Sequence, residues 1–172
     1  MLRLIQPCKA YLASYTEAYD EYRTFPRRSG NPFRNAHVQD VLAYFDNMRS
    51  ARNLPAGYVA STTCWLVDDE TQRFLGQIDI RHELTDRLLL YGGHIGYAVR
   101  LGEWNKGYGT LMLSLALPYA KELGITRCLI TCDDDNPGSA RVMEKNGFVL
   151  GDKISNTIDS QAILTRRYWK NL

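Results

Sequence analysis

Apolar positions along the 172-residue chain change period several times, and each change predicts an element. Leu2 to Gln6 alternates and reads as a first strand. Tyr11, Leu12, Tyr15, Ala18 and Tyr19 recur near helical spacing and predict a helix over 9–22. Val38, Val41, Leu42, Phe45 and Met48 share one face of a second helix, predicted over 36–53. The intervening 24–35 holds Pro26, Gly30 and Pro32 and reads as a loop. Runs over 62–67 and 74–81 flank the acidic turn Asp68-Asp69-Glu70, the pattern of a hairpin. A strand over 93–99 follows, then a strongly apolar helix over 107–123 with Pro118 as an expected kink, and a strand over 127–132. Asn136 as N-cap, Pro137 at the first helical position and Gly147 as terminator mark a short helix over 137–145. Strands over 148–153 and 162–169 finish the chain. Hairpins followed by β-α-β-α-β predict one α/β domain over 1–172 with a single mixed sheet.

Composition narrows the class without naming a function. The chain is 45% hydrophobic and 23% charged, an ordinary globular mix. Its 21 Lys and Arg against 19 acids give a net charge of +2, too balanced for a nucleic-acid footprint. No apolar run reaches the roughly 18 to 20 residues of a membrane span, so no membrane partner is expected. The start, Met1 to Pro7, lacks the apolar core and small-residue cleavage site of a signal peptide. Cys8, Cys64, Cys128 and Cys132 form no C-x-x-C pair and match no histidine spacing. No metal is expected; buried structural thiols in a reducing cytoplasm are.

Two segments carry chemistry. In the first, Val99-Arg100-Leu101-Gly102-Glu103-Trp104-Asn105-Lys106-Gly107-Tyr108-Gly109-Thr110, a strand turns into the apolar helix. Gly107 and Gly109 let the backbone turn tightly beside a ligand. The unpaired N–H groups at a helix start carry the positive dipole end and suit an anion, and Lys106 adds a mobile charge. A P-loop is excluded because Tyr108 stands where its lysine belongs, and a dinucleotide fingerprint because Met112 replaces its third glycine. Either would have indicated a nucleotide- or NAD-binding protein. The second segment, Asn136-Pro137-Gly138-Ser139-Ala140-Arg141-Val142-Met143-Glu144-Lys145-Asn146-Gly147-Phe148, is by itself a well-punctuated helix.

Together, in this order and with a strand between them, the two segments resemble the acetyl-CoA motifs of the GNAT superfamily of N-acetyltransferases. The first is similar to Q/R-x-x-G-x-G/A and the second to N-x-x-[SA]-x-x-x-[YL]-E-K-x-G-F. The run Arg81-His82-Glu83-Leu84, followed by Gly92-Gly93-His94-Ile95-Gly96-Tyr97, is similar to a group of bacterial acetyltransferases of undefined substrate. The resemblance covers about 74–150, the cofactor core, and leaves the acceptor site to about 1–60.

It implies a mostly antiparallel central sheet flanked by helices, splayed between the strands around 93–99 and 127–132. Acetyl-CoA would enter that gap as co-substrate. Backbone amides of Asn105, Lys106, Gly107, Tyr108, Gly109 and Thr110 would hold the pyrophosphate. Tyr97, Val99 and Leu101 would pair with the pantetheine arm, with a backbone N–H near Val99 holding the reacting carbonyl oxygen. Asn136 and Ser139 would flank the cofactor from the other side. Two positions depart from the motifs. Trp104 occupies the Gln/Arg place, and Met143 stands where the family often carries a tyrosine general acid.

Direct transfer to an amine requires a base, because an alkylammonium with a pKa near 10.4 is protonated at neutral pH. A thiol with a pKa near 8.5 leaves more readily, so the acid matters less. His94 and Glu83 are the base candidates, His94 as a side chain titrating near neutrality and Glu83 through a water. His82 faces away from Glu83, and His37 reads as structural. Asp133-Asp134-Asp135 reads either as a solvated helix-start cluster or as a wall attracting cationic amines. Arg23, Arg27, Arg28 and Arg34 read as a solvated loop, with the 3′-phosphate of CoA as the alternative partner. The acceptor, a small-molecule or peptide amine, is left open. A homodimer is common in the family, and no residue pattern here argues for or against it. A non-catalytic acyl-CoA sensor with this fold stays open as the alternative to an enzyme.

Overall fold

The computed structural model describes residues 1–25, 30–158 and 160–172. Its strands and helices run β1 (Leu2–Ile5), α1 (Leu12–Glu21), α2 (Val41–Arg49), β2 (Ser61–Asp68), β3 (Arg73–Arg81), α3 (Asp86–Leu90), β4 (Ile95–Val99), α4 (Tyr108–Glu122), β5 (Arg127–Asp133), α5 (Pro137–Lys145), β6 (Val149–Ile158) and β7 (Gln161–Asn171). Short 3-10 turns stand at Lys9–Tyr11, Arg34–His37 and Leu101–Glu103.

The strands form a four-stranded sheet, β1-β2-β3-β4, and a three-stranded sheet, β5-β7-β6, each antiparallel throughout. One bridge, Gly93 to Ile130, joins them. What the sequence predicts as a single sheet is thus parted between β4 and β5, where the splay is expected.

Alternation along β2 and β3 sorts side chains to two faces. Cys64, Leu66, Ile78 and Ile80 join Met112, Leu113, Ala116 and Met143 beneath α4 and α5. Trp65, Val67 and Phe74 pack with Tyr11, Tyr15, Tyr22, Phe33 and Phe45 beneath α1 and α2. The tyrosine-rich first helix is therefore core. Tyr15 is fully buried and stacks on Trp65 with ring centroids 4.5 Å apart. The acidic turn is fastened to the chain start: Asp69 accepts from Arg3 and from the Tyr11 hydroxyl, and Asp68 from the Met1 amino group.

Several boundaries differ from the periodicity. The second helix starts only at Val41, because Val38 is extended and the Asp40 carboxylate caps the Ala43 N–H. It ends before Ala51, whose φ is +57°. Helix α3, capped by Thr85, has five residues, too few for a period to show. The last two strands are longer than predicted, pairing from Val149–Trp169 to Ile158–Gln161. Pro118 lies within the helical span of α4.

Candidate active site at the parted sheets

The closed end of the gap is built by Gly93, His94 and their neighbours. At φ +64°, Gly93 lies so close to β5 that a Cβ would stand 2.5 Å from the Leu129 carbonyl oxygen. Any side chain there would force the sheets apart. The His94 N–H donates to the Leu129 carbonyl at 2.7 Å, and the Leu129 N–H donates back to His94 Nδ1 at 3.0 Å. Gly92 N–H donates to Thr131 Oγ1, while Arg81 Nη1 donates to the Gly92 and Gly93 carbonyls, each at 2.9 Å.

Beyond this point β4 leaves β5. Arg81 N–H donates to the His94 carbonyl and Arg100 N–H to the Leu75 carbonyl, so the alternate residues 94, 96, 98 and 100 turn their backbone toward β3. In an antiparallel ladder the intervening Ile95, Tyr97 and Val99 then turn theirs into the gap. A strand-like arm can pair there. The Val99 carbonyl already accepts from the Tyr22 hydroxyl at 2.7 Å and from Trp104 Nε1 at 3.1 Å. Trp104, in the place of the motif's Gln or Arg, thus pins the strand end to α1. The Tyr97 hydroxyl bridges the gap to Ser139 in the first turn of α5, 2.7 Å from its Oγ. Burial raises the Tyr97 pKa further above the phenol range. Asn136 accepts the Ser139 N–H and caps α5.

At the open end the chain passes Leu101 and enters α4. Asn105 and Gly107 have φ of +62° and +83°, and nothing lies within 4 Å of where a Gly107 Cβ would be. The turn is exposed from Trp104 to Gly107 and leads into a helix start where Tyr108 and Thr110 are half-buried. Gly109 serves packing: its Cβ would meet Val142 of α5 at 3.2 Å. Lys106 is paired to the buried Glu103 at 2.8 Å, and Glu103 also meets Arg73 at 3.3 Å. The network continues through Glu21 to Arg100, which is 4% exposed and also meets Glu17 and Ser14. A cavity of about 470 Å³ against this network is lined by Ser14, Glu17, Arg73, Glu103 and Tyr108, on the α1 side and apart from the gap.

The two base candidates fare differently. A neutral imidazole accepting at Nδ1 carries its own proton on Nε2, so both His94 nitrogens are committed while the Leu129 bond lasts. Burial and the Arg81 charge lower its pKa and keep the ring neutral. Glu83 is exposed just beyond β3. His82 contacts Thr62 Oγ1 at 2.8 Å, and His37 packs edge-on against Tyr19. Met143 is fully buried in the core, away from any proton-transfer duty. Asp134 is no solvated cluster member: Lys153 and Arg166 hold it at 2.7 and 2.6 Å and lower its pKa. Arg23 pairs with Asp20, and Arg34 is exposed; Arg27 and Arg28 lie outside the described residues. Sequence reasoning missed Asp79, which belongs to no motif, and gave Arg81 no role of its own; only sheet register brings them beside β4.

The fold and gap define an α/β protein whose sheet parts beside the left-handed turn that opens α4. The chain belongs to the GNAT family: the model described as "Acetyltransferase (GNAT) domain" matches residues 2–149. Among solved structures it is similar to a GNAT-family acetyltransferase from Streptococcus pneumoniae, with 16% identity, TM-score 0.66 and coverage of 100% of this chain and 98% of that one. Mutant forms of the spermidine/spermine N-acetyltransferase SpeG from Vibrio cholerae give 12%, 0.64, 99% and 95%. The ribosomal-protein-S5-alanine acetyltransferase from Vibrio fischeri gives 15%, 0.64, 99% and 91%. Such identities establish the fold alone. No curated protein matches. No helix among the described residues is long and apolar enough to cross a membrane, and no described His, Cys, Asp or Glu group could hold a metal ion.

Proposed function

We propose that this chain is one acetyltransferase domain that transfers the acetyl group of acetyl-CoA directly to a primary amine in a ternary complex. The observation that carries the reading is the gap between β4 and β5, with strand backbone facing into it and the open Gly107 turn at its mouth. The co-substrate supplies an activated thioester. The rest is work for this chain. The amides of Asn105 to Thr110 bind the pyrophosphate, and Lys106 exchanges Glu103 for a phosphate oxygen. Tyr97, Val99 and Leu101 line up the pantetheine arm by backbone pairing, between Asn136 and Ser139 on one side and β4 on the other. The Val99 N–H faces the region where the thioester oxygen would lie.

Glu83 acts as the base through a water, while His94 holds the closed end. No side-chain acid is required, since a thiolate is a fair leaving group near neutral pH. The structural neighbours' names include acetylation of spermidine and of a protein alanine, both amine chemistry. All four cysteines are free thiols, which suits a reducing cytoplasm. Met143 in the tyrosine's place favours the second reading, an acyl-CoA sensor without turnover.

Thiol release from acetyl-CoA across a panel of amines decides between them. The transferase reading expects amine-dependent release that Glu83→Ala lowers. CoA binding without amine-dependent release overturns it. Gly107→Val replaces an open left-handed residue with a β-branched one and should abolish CoA binding in a folded protein. Retained affinity, measured by calorimetry, would remove the turn from the site.

A further inference from the structure

We propose that Asp79 binds the amino group of the acceptor, on the sheet face that carries α1 and α2; this rests on acetyl transfer to an amine as the reaction. Asp79 lies in the middle of β3, directly opposite Gly96 of β4, two residues from the closed end of the gap. It shares its face with Thr63 and Gln77, both 5% exposed or less, so its carboxylate is drawn into the sheet surface. One oxygen accepts from Thr63 Oγ1 at 2.6 Å and the other from Gln77 Nε2 at 2.9 Å. A carboxylate offers about four acceptor sites, so each oxygen keeps capacity for another donor. Among the described residues no cation pairs with it within 4 Å, whereas Asp68 and Asp69, just before β3, each have one. Its direct donors are neutral, and the Arg81 guanidinium beside Gly96 balances its charge only from beyond ion-pair distance, so the carboxylate can still take a direct cationic partner.

A second atom points to the same ligand. The Tyr15 hydroxyl is fully buried and makes no hydrogen bond. Burial raises its pKa, and among charged groups Asp79 adds most to that rise, so the phenol stays protonated beside a carboxylate. Tyr15 stacks on Trp65, whose Nε1 donates to Gln77, whose amide in turn donates to Asp79. The three residues thereby fix where the carboxylate and the orphan hydroxyl sit. Both have lone pairs to give. An alkylammonium brings three N–H donors and a positive charge, which answers both. A hydroxyl acceptor brings one donor and no charge. The half-buried Tyr44, which packs edge-on against Phe45 on the same face of the sheet, supplies aromatic surface nearby. The nearest cation, Arg81, spends Nη1 on the Gly92 and Gly93 carbonyls and forms no ion pair with Asp79 within 4 Å, although its charge is felt there.

The test uses acetyl-CoA with 2-phenylethylamine, 1,5-diaminopentane and 2-phenylethanol. The expected order is turnover of amines over the alcohol. Asp79→Asn should raise the amine KM roughly 10- to 100-fold, the loss of one charge-assisted contact, with acetyl-CoA affinity unchanged. Tyr15→Phe should raise it several-fold, and Asp79→Glu should recover part of the loss. Calorimetric binding of the amines in the presence of CoA reads the same contact without turnover and reports on folded protein. Equal amine affinity in wild type and Asp79→Asn overturns the assignment, as does a parallel loss of acetyl-CoA binding. Wild type that binds CoA and amine in an Asp79-dependent manner, yet releases no thiol, would sink the transferase reading and leave this site standing.

Discussion

Replacing Arg100 by Ala tests whether the ion network behind the gap holds α1 to the end of β4. The guanidinium is 4% exposed and reaches Glu21 at 2.7 Å, Glu17 at 3.1 Å and Ser14 Oγ at 2.9 Å, with weaker contacts to the Ser14 and Phe74 carbonyls. The partners do not suffer equally. The Glu17 side chain is 64% exposed and simply returns to water, so that pair contributes at most about 1 kcal/mol. Glu21, at 29%, is partly stranded, and the buried Ser14 loses a charged donor, a cost of about 1 to 3 kcal/mol between them. Loss of the packed stem adds about 1 kcal/mol. A total near 3 kcal/mol corresponds to a melting temperature roughly 6 to 12 °C lower for a chain of this size. Arg100→Lys should recover less than half, because one ammonium cannot span three separated acceptors. Calorimetric melting checks both variants. An Ala variant within about 2 °C of wild type, or a Lys variant equal to it, would refute the reasoning.

Other expectations concern pH and reactivity. Asp46, Asp68, Asp69, Asp134 and Asp152 all have lowered pKa values through arginine, lysine or N-terminal partners. Their contribution is complete above the unfolded value near 3.9 and is lost as pH falls through the folded values, so their share of the stability should be constant from pH 7 to 5 and melting temperature should drop steeply below about pH 4. His94 is lowered instead of raised, so between pH 7 and 5 the unfolded chain takes up a proton that the folded one resists. Stability should decline over that range, and His94→Ala should flatten the decline while orphaning the Leu129 N–H at a cost of about 1 to 3 kcal/mol. Burial pushes the thiols of Cys64 and Cys132 to about 11 and of Cys128 to about 12, whereas Cys8 is half-buried. Thiol titration should find one fast group in the native protein and four after denaturation.

The starts of α4 and α5 were legible in the sequence because they are made of local signals. Asn136, Pro137 and Gly147 set α5 to the residue, and the Gly107 turn opens α4 as its spacing predicts, since caps and left-handed turns depend on the residues that form them. The hairpin of β2 and β3 around the acidic turn was likewise legible. What local signals could not carry was who meets whom. Gly109 reads as a ligand turn and is a packing site for Val142; Lys106 reads as a free cation and is held by Glu103. His94 reads as a base, and only the approach of β5 gives its lone pair to the Leu129 N–H. Asp79 has no motif at all. Its place beside Gly96, with Thr63 and Gln77 as donors, comes from strand register, which a single chain position does not encode.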